Sequence, residues 1–189
     1  MKHTLLSVEE FVARRQLLLA QMPENSIALF PAAKEVTRSN DTEFLFCQNK
    51  NFYYLTGFNE PDALLVLIKS SNNAESKDQS ILFCRNKDPF QEVWHGRRIG
   101  AALAQADYAF DQAHTLDEID VTLPDLLDGK SQVLYCQGEF PEVEQQLTQW
   151  LAALKSAARQ GKKAPKVRVD CTELLHEMRL IKSSAELDI

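Results

Sequence analysis

The chain has 189 residues, a formal net charge of −6 and an apolar fraction of 44%. This is enough for one domain with a real core, or for one domain and a small part of a second. The acidic balance argues against generic binding to nucleic acid or anionic lipid, because both need a basic field. The longest apolar run, Ala63 to Ile68, is far shorter than the roughly 18 residues that span a bilayer.

The N-terminus and the cysteines predict the compartment. Residues 1–15 have neither the long apolar segment nor the small-residue cleavage site of a signal peptide, which predicts a cytoplasmic protein. Cys47, Cys84, Cys136 and Cys171 are far apart and form no CxxC pair. We therefore expect reduced, structural thiols.

The first third of the chain predicts a helix, a strand and a long loop. Ser7 and Glu10 have the spacing of a capping box, and apolar residues then recur at helical spacing, which predicts a helix from Ser7 to Met22. Ile27 to Phe30 is a short apolar run typical of a strand. Ala32 to Asn51 has no sustained period and predicts a long loop with a short strand or turn inside, and such loops are often functional.

The stretch Asn51 to Ile68 predicts a hairpin-like core. Its two apolar segments, Phe52 to Leu55 and Ala63 to Ile68, are separated by turn residues that include Gly57 and Pro61. The second segment is continuously apolar, as in a strand that is covered on both faces. Helices should therefore flank the sheet, which makes the chain an α/β domain.

The second half continues the α/β alternation. It predicts strands at Ile81 to Cys84 and Val133 to Cys136, and helices at Leu116 to Leu127 and Pro141 to Ala158, the latter with Trp150 in its apolar face. Four further segments have these predictions: residues 85–100, an exposed loop; 101–129, a solvated acidic face around the first helix; 155–168, an exposed basic linker; 170–180, a last helix.

Few residues carry recognisable chemistry. His176 and Glu177 begin an HExxH pattern, but Leu180 occupies the position of the second histidine. No nucleophile elbow, phosphate loop or metal-ligand spacing is present, so no self-sufficient catalytic site can be named.

The best candidate surface is the loop around Trp94. With His95, Arg97 and Arg98 it could offer an apolar wall and anion-binding forks to a ligand or partner. The alternative is that Trp94 packs inward and the arginines are solvated. For Asp41, the ordinary explanation is surface charge.

Four segments of the sequence also resemble a known protein family. The segment EVTRSNDTEFLFCQNKNFYYLTGFNEPDALLVLI, the EVWHGRRIG loop, the LYCQGEF segment and the closing HEMRLIKSSAEL together resemble the N-terminal domain of bacterial Xaa-Pro aminopeptidases. The resemblance implies a creatinase-type N-terminal domain, in which a mixed sheet carries helices on both faces in a ribonuclease-H-like, three-layer α/β/α topology. It further implies that residues 1–180 form this domain and that residues 181–189 lead into a missing catalytic "pita-bread" domain.

The resemblance also implies a function. The parent chain would be a metallo-aminopeptidase that releases the N-terminal residue from peptides with proline in second position, using two divalent ions, usually manganese, in the catalytic domain. This fragment would be inactive, bind no metal, and contact its own catalytic domain and neighbouring subunits of a homo-oligomer. The short run after Ser183, whose spacing with Glu186 predicts a capping box, matches the family's entry to that domain.

Three residues match positions that close over a neighbouring active site in that family. Trp94 resembles a tryptophan of the substrate wall, Asp41 an aspartate that reaches a neighbouring catalytic domain, and Arg159 an arginine near the same cleft. His95, Arg97 and Arg98 would support them. Two alternatives remain open: a non-catalytic peptide-binding module on a peptidase-like fold, and the N-terminal domain of a prolidase, which cleaves Xaa-Pro dipeptides.

Overall fold

The computed structural model describes residues 6–72 and 76–188. The helices within these ranges are α1 (Val8–Gln21), α2 (Lys50–Thr56), α3 (Pro89–His95), α4 (Gly100–Tyr108), α5 (Ile119–Leu127), α6 (Pro141–Ser156), α7 (Thr172–Leu180) and α8 (Ser184–Leu187). The strands are β1 (Ser26–Pro31), β2 (Thr37–Ser39), β3 (Thr42–Glu43), β4 (Leu64–Lys69), β5 (Gln79–Cys84), β6 (Gln112–Thr115), β7 (Gln132–Tyr135) and β8 (Val167–Asp170). Short 3-10 turns cover Leu116–Glu118 and Ala157–Gln160.

The main sheet is mixed, as the sequence predicts. Its strands lie in the order β6-β5-β4-β1-β7-β8. Strand β4 is antiparallel to both of its neighbours, β1 and β5, whereas the other neighbouring pairs are parallel. Strands β2 and β3 form a separate small hairpin.

Alternating side chains bury both faces of this sheet. In β1, Ala28 and Phe30 join the core on one face, whereas Ile27 and Leu29 join the core on the other. Helices α1, α2, α4 and α7 cover the first face, and α5 and α6 cover the second. Period-two alternation in strands with apolar residues on both sides requires two covering layers. The predicted three layers are therefore confirmed.

The two segments that carry Asp41 and Trp94 leave the sheet at the carboxyl ends of its strands. Strands β1 and β5 are both antiparallel to β4, so they run in the same direction. Their carboxyl ends therefore lie on the same side of the sheet, which we call its carboxyl edge. The segment 32–48 leaves β1 at this edge, and the segment 85–99 leaves β5. Loops at the carboxyl ends of strands are the usual place for a site in α/β sheets.

The predicted hairpin is half wrong. The run Ala63 to Ile68 does form β4, but Phe52 to Leu55 lies in helix α2. The Asn49 side chain caps this helix by accepting hydrogen bonds from the backbone N–H groups of Asn51 and Phe52. Gly57 ends it in the left-handed conformation with φ of 64°. A helix of seven residues with these two ends is too short to show a clear 3.6-residue period in the sequence.

The predicted exposed loop and solvated acidic face contain regular structure. Helix α3 lies within 85–100, helix α4 follows it, and β6 is the edge strand of the sheet. The basic segment 155–168 runs into the other edge strand, β8. Edge strands are short and half-exposed, so they lack the apolar run that marks a central strand.

The helix ends differ in how they are capped. The Ser7 side chain makes no capping hydrogen bond, so the predicted box at the start of α1 is wrong. Instead Glu10 forms an ion pair with Arg14 at 3.1 Å. The predicted box between Ser183 and Glu186 is confirmed.

Candidate functional site

The segment that carries Asp41 is a small hairpin fixed at both ends. Strands β2 and β3 pair around a turn in which Asn40 has a φ of 41°. Behind the hairpin, the Oε1 atom of buried Gln48 accepts a hydrogen bond of 2.7 Å from the N–H of Ala33, and its Nε2 donates one of 2.9 Å to the carbonyl of Glu60. Gln48 thereby ties both ends of the segment to the core.

Helix α3 presents Trp94 to solvent. Asp88 caps the helix by accepting from the N–H of Phe90 at 2.9 Å, and Pro89 occupies the first turn, where its missing N–H costs nothing. The Trp94 side chain is 76% exposed, and Phe90 and Val93 are also exposed. The alternative that Trp94 packs inward is therefore wrong.

The structure brings Trp94 and Asp41 together. With Glu35 and Glu43 they line a cavity of about 550 Å³, which we call the acidic cup. One wall is aromatic and the remainder carries carboxylates. Such a surface suits a cationic group next to an apolar side chain, because carboxylates attract the charge and an indole face attracts it further.

A partly buried ion pair involves one residue of the acidic cup, and a buried glutamate is influenced by the same arginine. The Glu35 carboxylate pairs with Arg85 at 3.7 Å. Glu60, which is 9% exposed, accepts a hydrogen bond of 2.7 Å from the N–H of Ile99. Burial raises the pKa of the Glu60 carboxyl, and this hydrogen bond and the charges of Arg85 and Arg98 oppose that rise.

The predicted supporting residues have different environments. Arg98 is half-buried; its N–H donates to Glu92 at 3.0 Å and its Nη1 to the carbonyl of Asn86 at 3.2 Å. It therefore braces the turn after α3 instead of projecting as a fork toward an anion. Arg97 is exposed. His95 ends α3, and its side chain lies outside the described part of the structure.

Arg159 is not brought to the acidic cup. It is exposed in the 3-10 turn Ala157–Gln160, which follows α6 and precedes β8. Because α6 leads from the end of β7 back toward the start of β8, this turn lies at the opposite edge of the sheet from Asp41 and Trp94. Within a single copy of the chain, Arg159 thus lies apart from the other two residues.

Sequence reasoning missed Glu35, Glu43, Glu60 and Gln48. The first two flank Asp41 in a charged loop, where surface charge is the ordinary explanation. Glu60 and Gln48 are polar residues next to apolar runs, and nothing in their local pattern marks them as buried. Gln48 and Glu60 lie on either side of α2, and only the folded structure shows that both are buried.

The described residues contain neither a metal-binding cluster nor a membrane-spanning helix. Within residues 6–72 and 76–188, no group of three or more His, Cys, Asp or Glu side chains is arranged to hold a metal ion. In the same part of the chain, none of the helices has the length and apolar character that crossing a membrane requires.

The mixed sheet between two helical layers, with a site on loops at its carboxyl edge, places the chain in the α/β class. A family model described as the aminopeptidase P N-terminal domain matches residues 11–135. The chain belongs to this family, and the resemblance seen in the sequence is confirmed.

Full-length relatives extend beyond this chain. The Xaa-Pro aminopeptidase of Escherichia coli is 42% identical over 184 residues, which are 97% of this chain and 41% of that enzyme. Human Xaa-Pro aminopeptidase 3 is 36% identical over 150 residues, 79% of this chain and 29% of that protein. The chain thus spans well under half the length of these relatives.

Solved structures of aminopeptidases P share the fold of this chain. Aminopeptidase P from Escherichia coli in its low-pH form superimposes with a TM-score of 0.92 at 42% identity, over 97% of this chain and 41% of that one. The Pseudomonas aeruginosa aminopeptidase PepP gives a TM-score of 0.91 at 38% identity, with the same two shares. A zinc-substituted form of the Escherichia coli enzyme in complex with product is also similar, with a TM-score of 0.92 at 42% identity.

Proposed function

We propose that this chain is the non-catalytic N-terminal domain of an Xaa-Pro aminopeptidase and that its acidic cup restricts access to an active site on a neighbouring subunit. The relatives named Xaa-Pro aminopeptidases support the enzyme class. The observation that carries the gating role is that Trp94 and Asp41, which are far apart in sequence, line one cavity at the sheet edge. Residues 1–180 would form the domain, and residues 181–189 would begin the connection to the catalytic domain.

The charge and shape of the acidic cup fit the proposed substrates. A peptide carries a cationic amino group at its N-terminus, and three carboxylates next to an indole attract such a group. The Trp94 side chain, being large and rigid, can exclude wider chains while contacting the residue next to the peptide's N-terminus. These residues would bind and orient; the hydrolysis itself would take place in the catalytic domain.

The metal pair belongs outside this domain in the proposal. We expect two divalent ions, with manganese as the predicted metal, to be held by the catalytic domain, where they would activate water for attack on the Xaa-Pro carbonyl. The described residues offer no cluster for these ions. We therefore expect the 189-residue chain to release no N-terminal residue from an Xaa-Pro peptide, with or without manganese.

Helix α8, which would begin the proposed connection to the catalytic domain, contacts α1 through an ion pair. Arg14, which is nearly buried, pairs with Glu186 of α8 at 3.3 Å and with Glu10 of α1 at 3.1 Å. Its guanidinium also lies 4.3 Å from the centre of the Tyr54 ring. These contacts would fix the start of the proposed connection against α1 and α2.

A chimera tests the gating role. This chain would replace the matching 41% of the Escherichia coli enzyme, and cleavage of a tripeptide with proline in second position would be measured with manganese. We expect Trp94→Ala to raise KM at least about tenfold, as loss of a central aromatic contact does. Phe90→Ala is the matched control, because Phe90 is an equally exposed aromatic residue on the same helix but does not line the acidic cup.

Several outcomes would contradict the proposal. Equal kinetics for the Trp94→Ala and Phe90→Ala chimeras would remove the gating role. Cleavage of dipeptides in preference to tripeptides would favour the prolidase alternative. Peptide binding by the 189-residue chain alone, with no change in chimera kinetics on Trp94→Ala, would favour the peptide-binding module.

A further inference from the structure

Helix α3 has little apolar packing to fix it. Phe90, Val93 and Trp94 are 74%, 77% and 76% exposed. A helix with only seven residues is also too short to be stable by itself in water. The position of Trp94 over the acidic cup must therefore depend on polar contacts at the ends of this segment.

Two hydrogen bonds join residues 86–99 to other segments of the described chain. The Asn86 Nδ2 donates to Asp117 at 2.7 Å in an exposed position, and the N–H of Ile99 donates to the Oε1 of Glu60 at 2.7 Å. The second bond is the stronger constraint, because its acceptor is a buried carboxylate and water cannot replace it there. It fixes the chain at Ile99, the N-cap residue of α4, four residues after the end of the helix that carries Trp94.

Glu60 also lies next to the other wall of the acidic cup. Its backbone carbonyl accepts from Gln48, which holds the end of the Asp41 segment. Its Oε2 is buried and has no hydrogen-bond partner in the described structure. The positive charges of Arg85, which pairs with Glu35 of the acidic cup, and of Arg98, after α3, oppose the rise of the Glu60 pKa that burial causes. Glu60 therefore contacts both segments that form the acidic cup, residues 85–99 through its carboxyl group and residues 32–48 through its backbone carbonyl.

We propose that Glu60 is a positioning residue whose buried carboxylate holds helix α3 so that Trp94 stands over the acidic cup. Its contact with Ile99 fixes the connection between α3 and α4, and its backbone carbonyl holds Gln48 at the end of the Asp41 segment. The positioning of Trp94 follows from this structure alone, whereas its effect on peptide cleavage rests on the proposed gating function.

Hydrogen exchange of the 189-residue chain tests the positioning. In Glu60→Ala, amides 88–99 should exchange at least about tenfold faster than in wild type, because a buried hydrogen bond is lost. Glu60→Gln keeps an oxygen acceptor for Ile99 and should restore most of the protection. The matched control is Asp111→Ala, because the Asp111 carboxylate also accepts from a backbone N–H, that of Ser80, at 2.7 Å, but at the opposite end of β5.

The chimera described above tests the consequence. Glu60→Ala should raise KM at least about threefold when Trp94 is present and should add nothing in the Trp94→Ala background, because a residue that acts through another couples fully to it. Glu60→Gln should restore KM. A merely structural role would change KM equally in both backgrounds.

The two proposals can fail separately. If Trp94→Ala leaves KM unchanged, the gating role is lost, while the exchange of amides 88–99 still decides whether Glu60 positions the helix. The positioning role is overturned if Glu60→Ala exposes amides 88–99 no more than Asp111→Ala does, or if the effects of Glu60→Ala and Trp94→Ala on KM multiply independently.

Discussion

Strand β4 and helix α3 are held in opposite ways. From Leu64 to Ile68 every residue of β4 is at most 7% exposed, and helices cover both of its faces. Helix α3 exposes its large apolar side chains and depends on polar contacts at its ends. A segment that is held like α3 unfolds locally at a lower cost in free energy than the core does. The site can therefore be altered while the fold remains intact.

The largest expected effect is a difference in the free energy of unfolding between a substitution in the core and one on α3. Phe52 is fully buried beneath the sheet, whereas Phe90 on α3 is 74% exposed. Phe52→Ala should lower the free energy of unfolding by about 3–5 kcal/mol, because burial and packing are both lost. Phe90→Ala should change it by less than about 0.5 kcal/mol. Urea unfolding of both variants measures this, and similar losses would show that α3 belongs to the core.

A smaller effect is expected at two glycines with positive φ. A Cβ at Gly57, which has a φ of 64°, would lie 2.5 Å from the buried Phe11 ring, whereas Gly138, with a φ of 79°, has open space. Gly57→Ala should cost about 2–4 kcal/mol from backbone strain and overpacking. Gly138→Ala should cost only the strain, about 1–2 kcal/mol. Equal shifts of the urea midpoints would mean that the Phe11 contact does not restrict Gly57.

The smallest expected effect is a pH dependence at Glu60. Burial raises the pKa of this carboxyl in the folded state, so the folded protein holds the proton at pH values where the unfolded chain has released it. The contribution of Glu60 to stability is thus present below the ordinary glutamate pKa and is lost as pH rises through the raised value. Wild type should lose stability relative to Glu60→Gln between a pH below the ordinary glutamate pKa and a pH well above it.

Urea unfolding of both proteins at the two pH values measures this difference. Asp111→Asn against wild type supplies the control for a carboxylate with a similar backbone contact. A constant or growing advantage of wild type with rising pH would contradict the assigned direction of the Glu60 pKa shift.

Several elements were predictable because their local pattern is strong. The central strands Ser26–Pro31 and Leu64–Lys69 are continuous apolar runs, and α6 repeats apolar residues at helical spacing with Trp150 buried. The family was also recognisable from conspicuous motifs around Trp94. These features depend on neighbouring residues and therefore survive without knowledge of the fold.

Elements with weak local patterns were not predictable. Phe52 to Leu55 reads as a strand because four apolar or aromatic residues in a row fit either structure; the Asn49 cap and the packing of α2 on the sheet decide for a helix. The edge strands β6 and β8 were missed because their side chains are only half-buried and need a partner strand to be recognised.

Periodicity in the sequence predicted the class of fold, and its motifs predicted the family and, through the resemblance, Asp41 and Trp94 as candidate site residues, because periodicity and motifs are properties of consecutive residues. The packing of the chain was needed to see that these two residues line one cavity with Glu35 and Glu43, and that Glu60 is buried. The physical reason is the antiparallel pairing of β4 with both β1 and β5. It brings two loops from distant parts of the chain to the same edge of the sheet.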